Sequence, residues 1–151
     1  MDKAKTLELL GEAKKAHIQW VQRAKHLIEG LPIDQSAIPL GSTDCIFGQW
    51  FYGEGQKLHG IGNMDCLMEV EKSHFELHDH YMNIFKIYFG ETNRSLLAKI
   101  FNSKKKVSDQ EKEMARIYFS KLQDASTEVL ELISRLERRL YALPQSSFDA
   151  I

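Results

Sequence analysis

From Ser108 to Leu143 the chain runs without a glycine or proline, and apolar residues recur three and four apart: Tyr118, Leu122, Ala125, Val129, Leu132, Leu136, Leu140 and Leu143. That alternation averages close to 3.5 residues, the period at which one helix keeps a single face against its neighbours. The helix it predicts is about 50 Å long. A stripe of that length needs other helices to cover it, and the rest of the sequence supplies them. Leu10, Ala13, His17, Trp20, Val21, Ala24, Leu27 and Ile28 form a second stripe. It predicts a helix of about 40 Å from Lys3 to Glu29, stopped by Gly30-Leu31-Pro32.

A third stripe holds Leu67, Val70, His74, Leu77, His78, Tyr81, Ile84, Phe85 and Tyr88, in a helix starting near Asn63. Gly90 to Asn93 breaks or kinks it, and Leu96, Leu97, Ile100 and Phe101 carry a helical pattern on to about Ser103. Between the first and third stripes, residues 30–42 hold all but one of the prolines and read as irregular. A short helix follows, beginning at Cys45 with Thr43 or Asp44 as its N-cap and ending at Gly53, then a glycine-rich loop to Gly62. No stretch alternates with strand period. The expected architecture is all-α: a four-helix bundle with a short extra helix, carrying Cys45, in the first connection. Residues 1–144 make one domain, and 145–151, after the helix-ending Pro144, a loose tail.

The chain of 151 residues is long enough to bury a core without disulfide staples. Its formal net charge of −1 gives no basic field to draw in nucleic acid or an anionic membrane. The run Lys104-Lys105-Lys106 reads as a solvated loop or helix end. No stretch reaches the roughly 18 apolar residues of a membrane-crossing helix. Met1-Asp2-Lys3-Ala4-Lys5 has no apolar stretch behind it, so no signal peptide is expected. Two cysteines fit a reducing compartment, and the expected location is the cytoplasm.

The histidines carry the chemistry. His74 and His78 are four residues apart and point the same way from the buried face of their helix. Two adjacent buried imidazoles lack water to satisfy them, which is costly unless they share a cation. His17 sits at the centre of the first stripe and offers a third imidazole. Cys45, in the first turn of its short helix, lies where free backbone N–H groups and the helix dipole favour a thiolate. Phe47 and Trp50 would plug that helix into the core, and Gly48 allows close backbone approach. One sulfur and three nitrogens, from His17, Cys45, His74 and His78, make a closed tetrahedral set that suits Zn2+. Copper would compete in vitro. A di-iron centre would need inward carboxylates, and only Glu71 lies near the ligand face.

The other candidates fit less well. His26 is about 180° round the helix from His17, and His80 about 200° from His78, so both face away. His59, in the glycine-rich loop, is the one plausible substitute ligand. Cys66 is offset by about 80° from the His74 stripe and reads as a small apolar side chain.

His17 with Trp20, Cys45-x-Phe47-Gly48-x-Trp50 and His74-x-x-x-His78 together resemble the chemoreceptor zinc-binding domain found in bacterial chemoreceptors and diguanylate cyclases. The resemblance spans roughly residues 10 to 85. It implies His17, Cys45, His74 and His78 as the zinc ligands, a four-helix bundle, a cytosolic location and frequent homodimers. It also implies a role in sensing zinc or oxidants such as hypochlorous acid. The segment from about Gly90 to Asp109 looks longer than the family usually has, and the usual attached signalling domain is not expected. The chain is therefore expected to act in trans on a chemoreceptor or diguanylate cyclase, or as a stand-alone member.

Four closed ligands leave no position for a reacting water, and Ser36, Ser42 and Ser73 have no base beside them in the sequence. The expectation is a non-enzymatic sensory or regulatory module. The alternative is a structural zinc protein acting as a helical adaptor.

Overall fold

A computed structural model describes residues 1–31, 33, 41–90 and 106–151. Its described elements are helices α1 (Lys3–Ile28), α2 (Ile46–Phe51), α3 (Cys66–Phe89), α4 (Asp109–Ala142) and α5 (Gln145–Asp149), with a 3₁₀ segment at Glu54–Gly60. No strand occurs among the described residues, so the protein is all-α. The long helices are α1, α3 and α4. The pattern at Leu96 to Phe101, expected to complete a four-helix bundle, lies outside the described residues, as do Lys104 and Lys105.

Local chemistry sets the helix ends. Asp2 caps α1 by accepting from the Lys5 amide at 3.1 Å. At the other end Gly30, at φ 79°, reverses the chain. The amides of Gly30 and Leu31 then reach back to the carbonyls of Leu27 at 3.1 Å and His26 at 2.9 Å. This paired closure satisfies carbonyls that the helix itself leaves open. In α4, Ser108 and Glu111 form a reciprocal capping box: the Glu111 amide donates to Ser108 Oγ at 3.2 Å and the Ser108 amide to Glu111 Oε2 at 2.9 Å.

The expected stripes become the core. Leu10, Ala13, His17, Trp20, Ala24 and Leu27 of α1 are buried, and α3 buries Leu67 through Tyr88 on one face. On α4 the buried line runs from Ala115 to Leu140 and includes Ile133, which the sequence stripe omits. α4 shares its most extensive interface with α3 and a second with α1, while α2 lies against α1. Lys14 of α1 pairs with Glu137 of α4 across the rim.

Two boundaries differ from the sequence reading. Helix α3 starts at Cys66 rather than near Asn63, because Asn63 adopts φ 63°, which no α-helix can include. Residues 145–151, read as a loose tail, contain helix α5, with Phe148 fully buried. The Phe148 carbonyl accepts from the N-terminal amine at 3.0 Å, and Lys3 Nζ donates to the carbonyls of Tyr141 and Leu143. The aromatic ring and these ties hold the segment where its polar composition alone would not.

Candidate metal centre

The residues singled out from the sequence converge where α1, α2 and α3 meet. One donor atom from each of His17, Cys45, His74 and His78 lies within 4.8 Å of all the others. All four side chains are buried, at 1%, 4%, 1% and 3% exposure respectively. Cys45 Sγ stands 3.3 Å from His74 Nε2. A tetrahedral zinc ion with bonds of about 2.0–2.3 Å separates its donors by about 3.3–3.6 Å, so a contraction of at most about 1.5 Å closes the set.

The pocket is built from aromatic packing. The His74 ring lies 4.6 Å from that of His78 and 5.1 Å from that of His17. Phe47 of α2 meets His74 edge-on at 4.7 Å, and Trp20 of α1 meets His78 at 4.6 Å. Phe47 also stacks on Phe51 at 5.4 Å, which fixes one wall of the site to α2.

Cys45 does not begin α2 as a helical residue. It is the N-cap, with an extended backbone, and its sulfur takes the place of the usual cap oxygen by accepting from the Gly48 amide at 3.2 Å. Gly48 is small for a reason: a Cβ there would stand 1.8 Å from the Ser42 carbonyl oxygen. The backbone before Cys45 is thus clamped directly onto α2.

Electrostatics favour neutral imidazoles and oppose a free thiolate. Burial, with help from the neighbouring His78, lowers the His17 pKa to about 4, and a weaker backbone interaction with Ala13 works the other way. Burial likewise lowers His74 to about 2, aided by His78 and His17. Both rings are therefore neutral, with a lone pair to give, at neutral pH. Burial pushes the Cys45 thiol up, against the hydrogen bonds from the Gly48, Phe47 and Cys45 amides, and the charge of Asp44 adds to the rise. The helix start alone does not make Cys45 a thiolate, contrary to the expectation from its position. A cation would do so.

The orphaned donors fit such an ion. Neither ring nitrogen of His17 has a hydrogen bond of acceptable geometry, although both are shut away from water. An imidazole buried in that way costs stability unless something is bound to it. Zinc matches the soft thiolate with three imidazoles.

The remaining candidates stay outside. His26 and His59 are exposed, and His80 is half-buried with its ring 6.4 Å from Tyr118. Cys66 is buried beside the Arg139 guanidinium, 3.7 Å from its sulfur. Glu71, one turn before His74, faces Tyr52 at the end of α2 and helps to raise its pKa, behind the larger effect of burial. A cleft of about 750 Å³ along α4, between Thr127 and Arg138, includes none of the four donors.

A helical protein with a buried three-histidine, one-cysteine set is a metal-binding module of the closed, four-donor type. The family comparison is narrower: residues 17–85 match the family model of the chemoreceptor zinc-binding domain. That segment begins at His17, the first of the four residues, and closes shortly after His78, the last. Comparisons with curated proteins and with solved structures returned no match.

Proposed function

We propose that the protein is a sensory or regulatory module that reads zinc availability or the oxidation of its Cys45 thiolate. The observation that carries this reading is the double duty of one sulfur atom. Cys45 belongs to the four-donor set and also caps α2 through the Gly48 amide. Bound zinc would keep that sulfur as a thiolate and tie α1, α2 and α3 together. The chain's own residues do the rest. His17, His74 and His78 present neutral imidazoles, and Phe47 and Trp20 shield them from bulk water.

Hypochlorous acid supplies a balanced oxidation. The thiolate takes the hydroxyl group, becoming a sulfenic acid, and chloride leaves with the electron pair. The new oxygen changes what caps α2, and the clamp at Gly48 and Ser42 carries the change into the backbone ahead of Cys45. A partner touching α2 or α1 would read the difference. We take that partner to be a chemoreceptor or a diguanylate cyclase in trans, within bacterial chemotaxis or cyclic-di-GMP control in the cytoplasm. Homodimers are expected, with Met114 and Ile117 exposed on α4 as the apolar surface available for them. No helix among the described residues is long and apolar enough to cross a membrane. The four-donor set leaves no open position for a reacting water, so the role is binding rather than catalysis.

The test is metal content and metal release, measured on the protein and on Cys45→Ala. Expected are about one zinc per chain, loosened in the variant, and release from the parent by stoichiometric hypochlorous acid. Equal zinc retention by Cys45→Ala would remove the thiolate from the site and end the redox reading. Zinc that hypochlorous acid cannot release would leave a structural adaptor.

A further inference from the structure

All four donors lie beneath the surface, so an ion must cross a layer of protein to reach them. A cleft of about 250 Å³ reaches one of them, His78. It opens between residues 41–43 and α3 and is lined by Ser42, Thr43, Phe75, Asp79 and Met82, with the donor His78 at its wall. The clefts along α4 and beside α1 contact no donor. We infer that this cleft is the route by which zinc enters and leaves the centre, with Phe75 and Met82 setting the exchange rate. The inference rests on the zinc-binding reading above.

The lining suits the task. Asp79 places a carboxylate at the mouth, steadied by the Asn83 side-chain amide at 3.2 Å, and its charge attracts a divalent cation. The hydroxyls of Ser42 and Thr43 and the thioether of Met82 offer weak oxygen and soft sulfur contacts to an ion shedding its water. Phe75 is 59% exposed although it sits on the helix that carries His74 and His78. Its ring and the Met82 side chain can swing by rotamer changes that are fast on the scale of ion release. The opposite wall cannot swing as readily. Ser42 is pressed against Gly48, and moving it would strip the cap from α2.

A route has a kinetic signature that a ligand lacks. Widening it speeds entrance and departure by one factor and leaves affinity alone, whereas losing a ligand changes affinity. The zinc-loaded full chain would be challenged with a chromogenic chelator to obtain the release rate. Stopped-flow mixing of the metal-free chain with zinc would give the uptake rate. Phe75→Ala and Met82→Ala should raise both rates by about three- to tenfold while holding Kd within about twofold. Asp79→Asn should slow uptake at low ionic strength and lose that effect in high salt. Gln123→Ala, exposed on α4, is the control and should change neither rate. Unchanged rates in both Phe75→Ala and Met82→Ala, with one zinc still bound, would overturn the route alone. So would release from the parent protein at the rate of global unfolding. A chain that takes up no zinc would sink the route and the zinc-binding reading together.

Discussion

At the scale of single residues, the centre is an arrangement that favours a bound ion at the expense of the empty protein. His17 shows this most directly. Its two ring nitrogens are buried without good hydrogen bonds, so the metal-free state carries the cost of dehydrating them. Replacing it with leucine, of similar bulk, removes that cost together with the donor. In chelator, His17→Leu should therefore be more stable than the parent by about 1–3 kcal/mol in urea unfolding. With zinc present the order should reverse. A variant less stable in both conditions would mean that the ring is already satisfied. Gly48 makes a second case in which ordinary propensity gives the wrong sign. Alanine in a helix usually gains about 1 kcal/mol over glycine. Here a Cβ would fall 1.8 Å from the Ser42 oxygen and 3.1 Å from Thr43 Cα, both of them backbone. Gly48→Ala should instead destabilise by about 1–3 kcal/mol and weaken zinc binding, because the clamp must open. Calorimetric melts with and without zinc would read both effects.

At the scale of elements, much was legible because helices announce themselves by spacing. Leu10 to Leu27, Leu67 to Tyr88 and Leu122 to Leu140 are stripes that the structure buries. The meeting of His17, Cys45, His74 and His78 was legible as well, since His74 and His78 share a face and His17 lies mid-stripe, and the structure brings the four together. Sequence missed what depends on tertiary surroundings. The pKa of Cys45 rises because burial outweighs the backbone donors, and no local pattern reports burial of a cap. Residues 145–151 looked loose because Phe148 and Ile151 are too few large apolar residues to set a period, yet Phe148 is fully buried and meets Lys3 and the N-terminal amine from the far end of the chain. The cleft at Phe75 and Met82 also escaped, since exposed apolar side chains on a helix have no signature of their own. One local signal can be weighed directly. The capping box at Ser108 and Glu111 holds the start of α4, the longest described helix at 34 residues. Ser108→Ala should cost about 1 kcal/mol. For a chain of this size that lowers Tm by about 2–4 °C, and zinc affinity should not change because α4 gives no donor. A loss of zinc in that variant would show that α4 shapes the site indirectly.

At the scale of the whole molecule, the site and the frame are separable by design of the contacts. The α3–α4 interface is the most extensive and α4 gives no donor, whereas the donors lie on α1, on α3 and at the cap of α2. A zinc ion held there would join a six-residue helix, too short to persist alone, to two long ones. Removing the ion should leave α3 and α4 paired and loosen α2 first. Hydrogen exchange with and without chelator would map this, with amides of residues 45–60 losing protection well before those of 122–140. Uniform loss along the chain would mean that zinc supports the entire fold, and a local sensor could not work that way. The energetic side has a definite sign. Free zinc at about a hundred times Kd adds about 2.7 kcal/mol to the folded state. Chelation should then lower Tm by about 5–10 °C. The loss should be smaller in His17→Leu, where the ion has one donor fewer and the metal-free state is already relieved of its buried imidazole.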